Sequence, residues 1–212
     1  MASPVKIHND LLGATVKANL EKRGFEAYYC ENKETALVKA LELIPETDVV
    51  SWGGSVSISE IGLLDAVKKR NKVIDRDNAK TPEERVEIMR QGLLCDTFLM
   101  SSNAMSKNGE LVNIDGNGNR VGALCYGPKQ VVMIVGLNKI MGSLENAIAR
   151  AREIAAPTNV QRFPEIKTPC AKLGVCMDCN TSECVCAQIV ITRRCRPAGR
   201  IKIILVGENL GF

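Results

Sequence analysis

The sequence is poor in several residue types on which common enzyme classes and nucleic-acid-binding proteins depend. It contains one histidine, His8, near the amino terminus, so neither a catalytic triad nor a histidine general base is expected. Aromatic residues make up 4% of the chain, and Trp52 is the single tryptophan. The net charge of +4 is spread along the chain rather than gathered in a basic block. Nucleic-acid binding, which needs basic surfaces and stacking side chains, is therefore not expected.

Long apolar runs and phosphate-loop signatures are also missing. No stretch approaches the roughly 20 apolar residues that span a bilayer, and the segment Met1–His8 lacks the apolar core of an export signal. Neither a Gly-x-Ser-x-Gly elbow nor a P-loop is present. These absences predict a cytoplasmic protein with no membrane contact. An enzyme built on this chain would take its acid or base from a carboxylate such as Glu60, Asp115 or Glu208.

The composition that remains is that of a globular protein. The chain has 212 residues, 45% of them hydrophobic and 25% charged, which predicts one domain over residues 1–212. Strand patterns alternate with helix patterns over residues 25–156, which predicts an α/β fold with an open, mostly parallel sheet and helices on both faces. The strands Gln188–Thr192 and Arg200–Val206 are predicted to return to this sheet as a hairpin-like pair.

Individual elements follow from apolar spacing and from turn residues. Helices are predicted at 9–23, 33–44, 55–70, 81–94, 118–126 and 143–156. Strands are predicted at 25–30, 48–52, 72–75, 97–105, 110–116 and 130–135, with 97–105 and 110–116 forming an antiparallel hairpin.

Cysteines are concentrated near the carboxyl end. Of the nine cysteines, five lie within residues 170–186, in a loop-rich subregion at 158–187 with little apolar periodicity. Thiolates at this density favour zinc or an iron–sulfur cluster, and the spacing does not choose between them. Two other interpretations are small buried thiols and a redox dithiol at Cys176 and Cys179. The roles of Cys184 and Cys195 stay open.

A Gly-Gly-Ser turn after the strand 48–52 is the first candidate ligand site. Backbone N–H groups of Gly53, Gly54 and Ser55 at the start of a helix favour a phosphate or carboxylate, and Ser57 adds a hydroxyl. Two glycines after a strand also mark an ordinary tight turn. Glu60 is either a group in the same crevice or an exposed acid at the helix start.

The loop 113–120 is the second candidate. Asn103, Asp115, Asn119 and Arg120 either converge on a ligand at the strand ends or serve as ordinary turn residues. Its glycine spacing is one residue off the dinucleotide fingerprint and follows a hairpin, so a Rossmann nucleotide site is rejected. A small anionic molecule is the ligand predicted for the two candidate sites together.

Four stretches in this order resemble the LUD-domain family, whose members include lactate utilisation protein C. They are residues 53–64, 102–105, 109–120 and 203–211. The resemblance implies a fold like that of ribose-phosphate isomerases and CoA transferases. It also implies a role beside iron–sulfur partner proteins of lactate oxidation. By the same comparison the metal ligands would be Cys170, Cys176, Cys179 and Cys186.

Two functions are compatible with these features. The first is an accessory or binding component of lactate or organic-acid oxidation that carries a cysteine-bound metal. The second is an isomerase- or transferase-like enzyme acting on a phosphorylated or CoA-linked small molecule. Whether the protein is catalytic at all, and whether it forms a homo-oligomer, is left open at this point.

Overall fold

The fold is known from a computed structural model that describes residues 3–212. Met1 and Ala2 lie outside the described residues, so the part of the predicted domain and of the predicted signal-free segment that falls on them is not described. Within residues 3–212 the chain forms two sheets, one of six strands and one of four. The strands are β1 (Glu26–Cys30), β2 (Val49–Trp52), β3 (Lys72–Ile74), β4 (Thr97–Met100), β5 (Ala104–Ser106), β6 (Leu111–Asp115), β7 (Gln130–Gly136), β8 (Ile140–Met141), β9 (Gln188–Thr192) and β10 (Ile201–Val206).

Nine helices surround the sheets within the described residues. They are α1 (Pro4–Lys22), α2 (Lys33–Leu43), α3 (Val56–Glu60), α4 (Leu63–Arg70), α5 (Pro82–Gln91), α6 (Asn119–Cys125), α7 (Leu144–Arg150), α8 (Ala156–Val160) and α9 (Pro169–Leu173). Five of them, α1 to α4 and α6, pack on the faces of the larger sheet. Short 3₁₀ turns occur at Arg76–Asn78, Gly92–Leu94 and Leu137–Lys139, and a π-helical turn, Ala151–Ala155, joins α7 to α8.

The larger sheet is parallel throughout, in the order β1-β10-β7-β4-β2-β3. Its central strands are apolar on both sides: Val131 and Met133 pack with α1 and α6, whereas Val132 and Ile134 pack with α2, α3 and α4. A strand buried on both faces reads as a continuous apolar run, as β7 and β10 do. The predicted open, mostly parallel α/β sheet with helices on both faces is confirmed.

The smaller sheet, in the order β8-β5-β6-β9, lies beyond the carboxyl end of β4. The predicted hairpin is present, since β5 and β6 pair in antiparallel fashion. A third apolar cluster lies on this sheet. It joins Ala147 of α7 and Ala151 of the π-helical turn to Ala104, Val112 and Ile114 of the strands.

Three predicted elements are wrong in detail. The run 97–105 is two strands in two sheets, because the chain turns at residues 101–103 and Ser102 Oγ donates to the Ala104 and Val112 carbonyls. The predicted helix 55–70 breaks at Gly62, whose φ of 74° ends α3 and starts α4. The last two strands do not pair with each other: β9 joins β6, and β10 lies between β1 and β7 with Ile201 opposite Val131.

No helix within residues 3–212 has both the length and the apolar character needed to cross a bilayer.

Candidate functional site

A cleft of about 590 Å³ opens where the larger sheet meets the smaller one. Its floor is formed by residues that follow the carboxyl ends of β2, β4 and β7, which is where ligands bind in open α/β sheets. Part of the cysteine-rich segment, residues 182–185, forms one wall. The predicted ligand residues that line this cleft are Gly53, Gly54, Ser55, Ser57, Asn103, Asp115, Asn119 and Arg120. The structure therefore brings the two candidate sites together, although ligand binding by them stays a prediction.

The Gly53-Gly54 turn makes room for two arginines. A Cβ atom on Gly53 would lie 2.8 Å from Arg120 Cγ and Cδ, and one on Gly54 would lie 2.8 Å from Arg76 Nη2. Neither distance leaves space for a side chain without displacing a guanidinium group or its stem. The two glycines thus allow arginine side chains to approach the backbone at the end of β2, in addition to forming a turn.

Arg120 is held rigidly inside the cleft wall. Its guanidinium donates to the Ser101 carbonyl at 3.0 Å, to Asn113 Oδ1 at 2.7 Å and to Asn103 Oδ1 at 2.8 Å. A further bond goes to the Ile114 carbonyl. Burial lowers the pKa of this guanidinium from its ordinary value. With these acceptors in place Arg120 ties β4 and β6 together and adds positive charge to the cleft.

Asp115 caps the start of α6. Its carboxylate accepts the backbone N–H groups of Asn117 and Gly118 through Oδ1 and of Arg120 and Val121 through Oδ2, at 3.0 to 3.2 Å. Its candidate role in acid–base chemistry is untested. The contacts are those of a helix-capping carboxylate, because both oxygens already accept two N–H bonds.

Arg76 is the least satisfied polar group in the cleft. Its Nε atom is buried and has no hydrogen-bond partner among the described residues. It lies 3.9 Å from Asp77 Oδ1, and that carboxylate is bound more closely, at 3.0 Å, by Arg85. Burial lowers the pKa of Arg76, and the charges of Arg85 and Arg162 add to this against the opposing charge of Asp77. Three arginines thus meet at one side of the cleft.

Lys139 lies at the floor of the cleft, directly after β7, and is 3% exposed. Its ammonium donates to Ser57 Oγ at 2.9 Å and to Ser101 Oγ at 3.1 Å. No carboxylate lies within ion-pair distance of it among the described residues. Burial, followed by the charges of Arg150 and Arg120, lowers the pKa of Lys139 from 10.5 to about 7.

Glu60, the other candidate acid, is exposed and lies outside the cleft lining. Its Oε2 accepts the backbone N–H of Gly211 at 2.8 Å, and Ser57 Oγ donates to the Leu210 carbonyl at 3.3 Å. Glu60 and Ser57 thereby fix the segment 210–212, which covers one side of the cleft.

The cysteine-rich segment gathers its thiols around Cys186. Burial raises the pKa of Cys186, and Cys184, Cys179, Cys176 and Cys170 are near enough for their charges to raise it further. Five soft donors in one half-buried neighbourhood suit zinc or iron in their chemistry. In the part of the chain that the structure describes, however, no three His, Cys, Asp or Glu side chains are already grouped so as to hold a metal ion. The metal site therefore stays a prediction.

Comparison with known proteins places this geometry in a family. The model of the LUD domain matches residues 14–206.

The chain belongs to the LUD domain family.

The resemblance seen in the sequence is thereby confirmed, and LUD domains are associated with lactate utilisation. Among solved structures, the chain is similar to a DUF162 family protein from Deinococcus radiodurans, with 11% identity and a TM-score of 0.54 over 93% of this chain and 98% of that one. A weaker similarity, with 15% identity and a TM-score of 0.35, is to eIF2B delta from Chaetomium thermophilum, over 57% of this chain and 54% of that one. No curated protein matches the chain.

Sequence reasoning missed several basic residues of this LUD domain's cleft, and Arg76 and Lys139 matter most among them. Both follow strands of the parallel sheet, Arg76 shortly after β3 and Lys139 shortly after β7. Polar residues just beyond the carboxyl ends of such strands meet at one edge, so their positions were a usable signal. The burial of Lys139 and the unpartnered Nε of Arg76 depend on distant parts of the chain and carry no local signal.

Proposed function

We propose that the protein binds a small anionic molecule, carrying a carboxylate or a phosphate, in the cleft between its two sheets. The observation that carries the proposal is Arg76, whose buried Nε has no partner while its neighbours Arg85 and Arg162 add like charge. Leaving a donor of a buried charged group unpaired costs free energy, and an anion that binds the same guanidinium would offset that cost.

The chemistry of arginine suits this ligand class. A guanidinium binds carboxylate or phosphate through paired parallel hydrogen bonds, which give orientation as well as affinity. Ser55 and Ser59 also line the cleft and supply hydroxyl groups close to the same turn. A hydroxy acid such as lactate carries both a carboxylate and a hydroxyl for these partners, which supports a role as a binding component of lactate or organic-acid oxidation.

A longer anion is the second candidate, and the size of the cleft favours it. At about 590 Å³ the cleft lies within the range of roughly 300–1,000 Å³ that accommodates drug-sized ligands, well above what lactate fills. A sugar phosphate or a CoA-linked acid would use the arginines for its phosphate and the rest of the cleft for its body. This is the ligand class of the isomerase- or transferase-like alternative.

Thermal unfolding with a panel of anions tests the proposal. The panel contains lactate, inorganic phosphate, ribose 5-phosphate and CoA. A bound member present at about 100 times its dissociation constant should stabilise the protein by about 2.7 kcal/mol. The stabilisation should be largely lost in Arg76→Met and retained in Arg90→Met, which removes an exposed arginine of α5 outside the cleft lining.

Two results would contradict the proposal. One is a panel in which no anion shifts the unfolding temperature. The other is a shift of the same size in the wild type and in Arg76→Met. A response to lactate alone would support the hydroxy-acid ligand, whereas a response to ribose 5-phosphate or CoA alone would support the longer one.

The cysteine-rich segment is the basis of a second component of the proposal, a thiolate-bound zinc ion or iron–sulfur cluster. The segment is polar and largely exposed, and the family resemblance proposes Cys170, Cys176, Cys179 and Cys186 as its ligands. The influence of the other three on the Cys186 thiol supports this set, and Cys184, which influences it too, stays a fifth candidate thiol. Because no three of these thiols are already grouped in the described part of the chain, the segment would have to close around the metal. The metal–ligand bonds would supply the free energy for this closure. The bound group would fix the cleft wall at residues 182–185 and, if it is an iron–sulfur cluster, supply one-electron transfer.

Metal analysis of protein purified without air, together with its visible spectrum, tests this component. Iron or zinc at near-stoichiometric level should be present in the wild type and lost in Cys179→Ser. It should be retained in Cys125→Ser, whose thiol is exposed at the end of α6 and lies outside the segment. Colourless wild-type protein without zinc would exclude the metal site.

A further inference from the structure

The amine of Lys139 is held in an unusual setting for a lysine. It is buried at the cleft floor with two hydroxyl partners, Ser57 Oγ and Ser101 Oγ, and no carboxylate at ion-pair distance among the described residues. A buried ammonium without a counter-ion is disfavoured, so the neutral amine forms at a much lower pH than it does in an exposed lysine. The groups that influence it from the surrounding elements are Arg150 and Arg120, which oppose protonation, and Glu60, which favours it.

The hydrogen bonds of the two serines show which part of the amine is free. Ser57 Oγ donates its hydrogen to the Leu210 carbonyl at 3.3 Å, and Ser101 Oγ donates to the Ser102 carbonyl at 3.4 Å. Both serine oxygens therefore act as acceptors toward Lys139. A neutral amine has two hydrogens and one lone pair, and the two serines engage the two hydrogens. The lone pair is left without a partner on a residue that lines the cleft.

We propose that Lys139 is a nucleophile that forms a Schiff base with the carbonyl group of a small anionic 2-oxo acid bound in the cleft. The substrate class rests on the proposed anion-binding function, because the cleft arginines would hold the carboxylate. A buried lysine that is partly in its neutral form near physiological pH has the reactivity that this chemistry requires.

The reaction balances without any further reagent. The nitrogen lone pair attacks the carbonyl carbon, and the π electrons of the C=O bond move to oxygen, which takes up a proton. The nitrogen then loses a proton to give the neutral carbinolamine. Its hydroxyl takes up a second proton and leaves as water while the nitrogen lone pair forms the C=N bond, and loss of the remaining N–H proton gives the neutral imine. One amine and one carbonyl thus give one imine and one water molecule, with no change in oxidation state.

Reductive trapping tests the inference. The full-length protein is incubated with pyruvate and sodium cyanoborohydride, and the adduct is located by intact mass and peptide mapping. We expect a single reduced pyruvyl adduct on Lys139, formed well before exposed lysines such as Lys129 react. Lys139→Met should lose this adduct, and Lys22→Met, which removes an exposed lysine of α1, should keep it.

Adducts spread over surface lysines with Lys139 unmodified in the wild type would overturn the proposal, whether or not the Lys139→Met variant folds. The unfolding temperature with pyruvate separates this failure from failure of anion binding. A pyruvate-dependent shift that needs Arg76, without an adduct, would refute the Schiff base and leave the proposed binding function standing. An adduct on Lys139 that acetone forms as fast as pyruvate, without a pyruvate shift, would refute the anionic substrate class.

Discussion

Replacing Lys139 with methionine should change how the stability of the protein depends on pH. The pKa of Lys139 is lowered from 10.5 in the unfolded chain to about 7 in the folded protein. Between these two values the unfolded state binds more protons than the folded state, so the free energy of unfolding increases as the pH increases. Below the folded pKa the full cost of the buried charge is present, and above the unfolded pKa it is absent.

The size of the effect follows from the shift. Lowering the pKa from 10.5 to about 7 changes the free energy of unfolding by about 5 kcal/mol between low and high pH, at about 1.36 kcal/mol for each pH unit. Lys139 is 3% exposed, so screening by solvent removes little of this. From about pH 6 to about pH 9 the wild type should gain about 3 kcal/mol from this group alone. The methionine variant lacks this increase in the free energy of unfolding, because methionine does not titrate.

Urea unfolding of both proteins at the two pH values measures the effect. Taking the difference between variant and wild type at each pH cancels the titration of all other groups. The stability of the methionine variant relative to the wild type should be greater at the lower pH than at the higher pH, by about 3 kcal/mol. The exposed-site control Lys22→Met should show no such change. A difference between Lys139→Met and wild type that is the same at both pH values would refute the reasoning about the buried amine.

Two further predictions concern the arginines of the cleft. Gly54→Ala places a Cβ atom 2.8 Å from Arg76 Nη2, so it should weaken anion binding about tenfold, or about 1.4 kcal/mol, in the thermal-unfolding assay. In Gly142→Ala the nearest atom is 4.0 Å away and binding should be unchanged, so equal responses of the two variants would contradict the contact. Arg120→Met leaves buried acceptors without a donor and should cost about 3–5 kcal/mol in urea unfolding, against about 0.5 kcal/mol or less for Arg90→Met. A loss below about 1 kcal/mol would show that those acceptors find other partners.

Much of the fold was predictable because its signals are local. The strands of the larger sheet are apolar runs such as Val131–Val135, and the glycine after α1 has the positive φ of 79° that ends a helix. The run 97–105 was misassigned because its apolar ends lie in different sheets. The turn between them is held by the hydrogen bonds of Ser102 to Ala104 and to distant Val112, and by those of Arg120 to the same turn. The place of β10 between β1 and β7 likewise depends on long-range pairing that no local pattern records.

The candidate site was predictable in outline and not in detail. The Gly53-Gly54 turn and the loop around Arg120 were identified from turn chemistry, and the structure places them around one cleft. The close approach of Arg120 to Gly53 and of Arg76 to Gly54 was not predictable, because it brings together residues that are distant in the sequence. Lys139 was overlooked since a lysine after a strand usually lies at the surface, and its burial is a property of the whole fold.

The central claim is that an anion occupies the cleft against Arg76, and a crystal structure with the most stabilising anion of the panel tests it most directly. The account predicts a carboxylate or phosphate oxygen within hydrogen-bond distance of the Arg76 guanidinium, whose buried Nε has no partner within residues 3–212. An anion bound elsewhere, with no contact to that guanidinium, would contradict it.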